Sequence, residues 1–186
     1  MGTGSTQFAG DYSLTFTGSL VQDASRNIIN NVASGKAITF SGTTLLGTTG
    51  GRRLYIQGTG TTVFNGLITD SGLTGSGTIG VGGPYYNALT DVLSGAGGIL
   101  VLSSSYNHTG GVSIETKGLL LINHPNALGT GSMAFNGTGS FDNVYGSPIT
   151  VNNSIRMASS SGTFVGTNNS TFVTTGTLYW VGSRFL

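Results

Sequence analysis

Cysteine is absent from this 186-residue chain, and charged residues are scarce. The lack of cysteine excludes disulfide scaffolds, thiolate metal sites and cysteine nucleophiles. Charged residues make up 7% of the chain, against roughly 25% in ordinary domains. The net charge is +1, and the basic residues stand singly except for Arg52-Arg53. Because no basic stripe follows a phosphate backbone, nucleic acid is not an expected partner.

Long apolar runs and helix-forming residues are also missing. No run approaches the length of a membrane span, so this segment is not expected to insert into a membrane. The first residues, "MGTGSTQFAG", lack the basic and apolar regions of a signal peptide. If the protein is exported, we therefore expect this chain to be a processed piece or a fragment. Glycine recurs every few residues, which disfavours helices; the best helical candidate, residues 85–93, is expected to be a loop or one turn.

Short strand-like segments fill the chain instead. Apolar residues are 37% of the total and mean hydropathy is +0.16, which favours an ordered core over disorder. Segments such as "YSLTFTG", "KAITFSG" and "RRLYIQG" alternate apolar and polar residues over strand lengths. Glycine-containing turns separate them. The fold class is therefore predicted to be all-β.

Related pieces recur along the chain and decide between two all-β architectures. Many short strands fit either a sandwich or barrel of hairpins or a β-solenoid. The recurrence of "TFTGS", "TFSGTT", "FNGLIT", "AFNGTGS" and "TFVGTNNS" favours the solenoid. With a repeat on the order of 20 residues, the chain has room for up to about nine coils. Inward apolar columns are predicted to include these phenylalanines: Phe16, Phe40, Phe64, Phe135, Phe164 and Phe172.

One stretch resembles a known repeat family. "GAGG" at 95–98, "YNHTGG" at 106–111, "GLL" at 118–120 and "ALGTG" at 127–131 follow one another in order. They are similar to the autotransporter-associated β-helix repeat (the passenger-associated transport repeat), and the match is best over 93–175. The resemblance implies a right-handed parallel β-helix outside the cell, with residues 1–186 forming one solenoid domain of a longer protein.

The histidines and the arginine pair are candidate sites. His108 and His124 have no partner at a telling spacing, so both are predicted to be exposed turn residues rather than metal ligands or catalysts. Arg52 and Arg53 follow a glycine-rich segment that is able to form an anion nest. The preferred interpretation places them outward at the start of a strand. No metal site and no cofactor are predicted.

Carboxylates and tyrosines give the remaining candidates. Asp70 and Asp91 lie about one coil apart, but the preferred interpretation is isolated loop residues. Core or loop packing is likewise preferred for the tyrosines, with stacking on sugars as the alternative. The possible surface contacts are Tyr85, Tyr86, Tyr106 and Tyr145, with Tyr179-Trp180 as further candidates.

These observations predict a non-enzymatic exported structural or adhesive β-solenoid that forms a stiff rod or part of an extracellular fibre. Its expected partners are neighbouring repeats or further copies end to end, and surface polysaccharide or a host cell surface. The alternative is a carbohydrate-binding or carbohydrate-cleaving β-helix, of which the cleaving version needs two converging carboxylates. Ice binding needs regular Thr-x-Thr arrays, and the threonines here are irregularly spaced.

Overall fold

A computed structural model describes residues 4–47, 51–73, 75–83, 97–158, 162–166 and 178–180. The regular secondary structure in these ranges consists entirely of β-strands. The predicted helical candidate at 85–93 lies outside them. The strands are β1 (Gly4–Gly10), β2 (Leu14–Phe16), β3 (Leu20–Val21), β4 (Arg26–Val32), β5 (Ala37–Phe40), β6 (Thr44–Leu45), β7 (Arg53–Gly58), β8 (Thr61–Phe64), β9 (Ile68–Thr69), β10 (Thr78–Val81), β11 (Gly98–Leu102), β12 (Val112–Ile114), β13 (Gly118–Ile122), β14 (Met133–Phe135), β15 (Ser140–Asn143), β16 (Ile155–Met157), β17 (Thr163–Val165) and β18 (Leu178–Trp180).

The strands form three parallel sheets that run along the molecule. Sheet 1 has the order β1-β4-β7-β10-β12-β14-β16-β18. Sheet 2 has the order β2-β5-β8-β11-β13-β15-β17, and sheet 3 has the order β3-β6-β9. Consecutive strands therefore belong to different sheets, and each strand pairs with the equivalent strand of the next coil. This is a β-solenoid of about six turns, as the sequence predicted, with fewer coils than the upper limit of about nine.

Apolar side chains at alternate strand positions fill the interior. In sheet 1 the register places Ile56 beside Val81, and Val81 beside Ile114. In sheet 2 it places Leu100 beside Leu120. All five are fully buried. Burying such side chains contributes about 1.5–3 kcal/mol each relative to exposure, so these columns hold the coils together.

A column of phenylalanines marks the first three coils. Phe16, Phe40 and Phe64 are paired in register across β2, β5 and β8. Their ring centroids are 5.2 Å and 4.9 Å apart, with interplanar angles of 14° and 16°. The predicted aromatic column is thereby confirmed here, and Phe135 is also fully buried. Phe164 packs its ring 5.1 Å from that of Phe135, whereas Phe172 lies outside the described residues.

A second column consists of glycines just after the phenylalanines. A Cβ at Gly66 would lie 2.0 Å from the carbonyl oxygen of Gly42, and a Cβ at Gly42 would lie 2.2 Å from that of Gly18. Only hydrogen fits between these backbones. The recurring "TFTGS", "TFSGTT" and "FNGLIT" pieces therefore record one corner at which successive coils touch.

Polar groups at another corner are satisfied internally. The side-chain amide of Asn30, fully buried, donates to the Thr61 carbonyl at 2.8 Å and to the Thr62 hydroxyl at 3.0 Å. Its carbonyl oxygen accepts from the backbone N–H of Val32 at 3.1 Å. Because an unpaired buried amide is costly, this bonding fixes the bend after β4 against the next coil.

Candidate functional site

The outward face of sheet 1 brings together polar side chains from strands β7 to β16. The register aligns Tyr55 with Gly80, Gly80 with Ser113, Ser113 with Ala134, and Ala134 with Arg156. Their neighbours along the strands point inward to the core, because successive side chains alternate across a sheet. A row of small residues, Gly80, Ser113 and Ala134, thus runs between two large outward side chains.

Tyr55 closes one end of this row. A Cβ at Gly80 would lie 2.5 Å from the ring of Tyr55, so the ring occupies the space above this glycine. The guanidinium of Arg53 donates to the tyrosine hydroxyl at 3.2 Å. Burial, and then the Glu115 carboxylate, raise the pKa of Tyr55, and Arg53 opposes the shift. The ring and the hydroxyl together hold Arg53 at the edge of the row.

A small hydrogen-bond network lies along one side. Glu115 accepts a short hydrogen bond from the Ser113 hydroxyl. The amide of Asn136 donates to Ser113 at 2.9 Å and to Glu115 at 3.0 Å. The backbone of this network is fixed as well. The N–H of Glu115 donates to the Val81 carbonyl and the N–H of Asn136 donates to the Ile114 carbonyl, each at 2.9 Å. The three polar side chains are thereby held on rigid backbone.

Ser113 and Asn136 border a shallow cavity of about 130 Å³, which we call the sheet 1 trough. It is lined by Arg53, Thr78, Ser113, Ser132, Ala134, Asn136 and Arg156, among others. Two arginines therefore line one cavity. Within the described ranges the ion pair is between Arg26 and Asp23, at 2.9 Å, and neither trough arginine forms one.

The predicted tyrosine contacts divide between the interior and the surface. Tyr106 is only 4% exposed, and its hydroxyl donates to the Phe64 carbonyl. Burial raises its pKa. This corrects the prediction of a surface contact at Tyr106, since its hydroxyl is satisfied inside the solenoid. Tyr145 is 43% exposed, with its ring centroid 6.4 Å from that of His124.

The remaining aromatic candidates are not among the described side chains. Tyr85 and Tyr86 lie outside the described residues, as do the side chains of Tyr179 and Trp180.

His108 is the second correction. It was predicted as an exposed turn residue, but it is fully buried. Neither ring nitrogen makes a well-aligned hydrogen bond with the described residues. Desolvation by burial lowers its pKa, opposed by the Asp70 carboxylate and the Gly111 carbonyl. Gly129 of the next coil makes room for this side chain, because a Cβ there would lie 2.7 Å from Nδ1 of His108. The turn bends inward at His108, which spacing alone does not reveal.

His124, unlike His108, is not fully buried. It is half-buried, and its Nδ1 accepts a hydrogen bond from the backbone of Asn126 at 3.1 Å. It serves the turn around Pro125.

Asp70 is a structural clamp rather than an isolated loop residue. Its Oδ2 accepts hydrogen bonds from the backbone N–H and the hydroxyl of Thr109, each at 2.7 Å, and it is buried. It ties the turn before Gly110 to the preceding coil. Its predicted partner, Asp91, lies outside the described residues.

Arg53 is placed as the sequence indicated, whereas Arg52 is half-buried and precedes the strand. Arg53 begins β7 and is exposed, so the interpretation of an outward residue at a strand start is confirmed. Across the described ranges, no three His, Asp or Glu side chains gather as a metal site requires. In the described part of the chain, no helix is long and apolar enough to cross a membrane.

Sequence reasoning missed the trough. Arg156, Asn136 and Ser132 were not singled out, although each stands at an outward position of a predicted strand or at its end. The signal was a polar residue between two apolar ones, as in "SIRM". That pattern gives the face but not the neighbour on the next coil.

Comparison with protein-family models, with curated proteins and with solved structures gives no match.

Proposed function

We propose that this chain is a non-enzymatic segment of an exported, structural or adhesive β-solenoid, which acts as a stiff rod at the cell surface. The observation that carries the proposal is the continuity of sheet 1, whose eight strands all pair in parallel. A load along the rod is spread over many backbone hydrogen bonds and apolar columns. Each coil contacts mainly its neighbours, so length is gained by adding coils.

The surface composition supports a role outside the cytoplasm. Charge is low, and Thr, Ser and Asn occupy much of the outward surface. Such a surface remains hydrated through neutral groups and offers many weak hydrogen bonds. The resemblance of residues 93–175 to the passenger-associated transport repeat also supports export.

Export is tested on intact source cells. An antibody against the purified chain should label intact cells as strongly as permeabilised ones. Labelling that requires permeabilisation would contradict the proposal. Immunogold microscopy then measures the distance of the epitope from the membrane, which should exceed the diameter of a compact domain if the rod projects.

The coil ends support assembly with further repeats or copies. Leu14 and Phe16 at one end are 40% and 38% exposed, and Leu178 at the other is 59% exposed. In this chain β2 and β18 each have one strand neighbour among the described residues. Unpaired parallel edges with apolar ends favour addition of another strand. End-to-end association, expected from the sequence, is therefore part of the proposal.

Light scattering at increasing concentration tests this association. The mean mass should rise with concentration for the wild type and stay monomeric for Leu14→Lys, which places a charge in the end column. Thr15→Lys, on the opposite face of the same strand, is the matched control and should still associate. A monomeric wild type at high concentration contradicts the assembly.

A further inference from the structure

The sheet 1 trough has two features that a purely structural surface does not require: arginines without a carboxylate partner, and a low floor between them. Its two arginines have no carboxylate partner in the described chain, although the protein has few charges. Its floor is kept low by Ser113 and Ala134, and Arg53 on β7 and Arg156 on β16 line it from opposite ends, four strands apart. Arginines without a carboxylate partner around one cavity favour an anionic ligand, because the planar guanidinium matches a carboxylate with two parallel hydrogen bonds.

The remaining lining groups indicate a ligand rich in hydroxyls. Thr78, Ser132 and Asn136 offer neutral donors and acceptors around the same cavity. Thr78 already donates to the Gly110 carbonyl at 3.0 Å, so its oxygen is directed as an acceptor. The carboxylate of Glu115 accepts from Ser113 and Asn136 and so fixes these two lining side chains. A simple inorganic anion would use only the arginines.

Shape restricts the ligand further. The cavity is small and shallow, at about 130 Å³, so a ligand lies along the sheet rather than inside a pocket. It is lined mainly by polar side chains and has no deep apolar slot for an aromatic or aliphatic anchor. A peptide would normally bury such an anchor at the centre of its interface.

We propose that the sheet 1 trough binds a short stretch of acidic polysaccharide lying across the strands. Arg53 and Arg156, at opposite ends, each hold the carboxylate of a different hexuronate unit, and the neutral groups hold the hydroxyls between them. Tyr55 is a positioning residue, because its hydroxyl and ring hold Arg53. The inference rests on the proposed adhesive role and names its ligand class. No bond is made or broken.

Isothermal titration of the full chain tests the inference with a hexuronic-acid tetramer and the neutral hexose tetramer of the same linkage. The acidic tetramer should bind, and the neutral one should bind at least 10-fold more weakly. Arg156→Gln should weaken the acidic tetramer by about 10-fold, equivalent to about 1.4 kcal/mol. Raising the salt concentration should weaken it further.

Ala134→Trp, which fills the trough from an outward position, should abolish binding. Thr39→Trp is the matched control: it places the same side chain outward on sheet 2 and should bind like the wild type. Circular dichroism and thermal melting establish that each variant folds. If either tryptophan variant is unfolded, Ser132→Glu and Thr39→Glu replace the pair, and only Ser132→Glu should abolish binding, because its carboxylate repels the acidic tetramer.

Several outcomes overturn the inference. They are equal binding of acidic and neutral tetramers, equal binding by Ala134→Trp and the wild type, and equally strong binding of inorganic phosphate or of a Glu-rich peptide. Absence of any binding also overturns it. None of these changes where the protein is found on cells, so failure here is distinguishable from failure of the exported rod, which antibody labelling tests separately.

Discussion

Replacing Gly66 by alanine tests the stacking of coils directly. The backbone at Gly66 does not lie in the left-handed region, so alanine is compatible with its conformation. The only obstacle is the coil beneath, since the new Cβ would lie 2.0 Å from the Gly42 carbonyl oxygen. Gly18 stands in the same column but has no heavy atom within 4 Å of its Cβ position. The two substitutions therefore differ in whether a coil lies against them.

The magnitude follows from the shortfall in distance. Real Cβ atoms essentially never approach closer than 3.0 Å, so the coils must separate by about 1 Å at this corner. Overpacking costs about 1–3 kcal/mol, and we expect the upper end, about 3 kcal/mol, because the obstructing atoms belong to backbone. For a chain of this size that lowers Tm by about 6–12 °C. Gly18→Ala should be neutral or stabilise by up to about 1 kcal/mol, because alanine restricts the unfolded chain.

Urea unfolding followed by far-ultraviolet circular dichroism gives both free energies of unfolding. Hydrogen exchange should show the loss of protection in Gly66→Ala concentrated in β5, β6, β8 and β9, because coils interact with their nearest neighbours. Equal costs for Gly18→Ala and Gly66→Ala would refute the stacking of coils at this glycine column.

Three further substitutions probe the interior. Phe64→Ala removes a fully buried ring and should cost about 3–5 kcal/mol in urea unfolding, whereas Val63→Ala on the outward face should cost under about 1 kcal/mol; similar values would contradict the aromatic column. Asp70→Ala leaves two donors of the next coil without their acceptor and should cost about 1–3 kcal/mol; a cost near zero would show that the clamp is not formed. His108 is neutral in the folded state because burial lowers its pKa, so below about pH 6.5 the unfolded chain binds more protons and stability should fall by up to about 1.4 kcal/mol per pH unit. His108→Gln should flatten this slope between pH 6.5 and 5 in urea unfolding while His124→Gln retains it, and an unchanged slope in His108→Gln would rule out the assignment.

The sequence predicted the architecture because the relevant signals are local. Alternation of apolar and polar residues assigns each side chain to the inside or the outside of a coil. The recurring pieces that contain Phe16, Phe40 and Phe64 predicted an inward aromatic column, which these three rings form. The outward position of Arg53 at the start of β7 followed from the same reasoning.

Only the tertiary structure decided which residues share a site. His108 and Tyr106 stand in a turn motif, and a turn normally lies at the surface, yet this one folds its side chains into the core. The trough brings Arg53 and Arg156 to one cavity across several coils. The coils differ in length, so the position of one residue above another depends on the register of every strand between them. Local pattern determines the face on which a side chain lies, and the stacking of coils determines its neighbours.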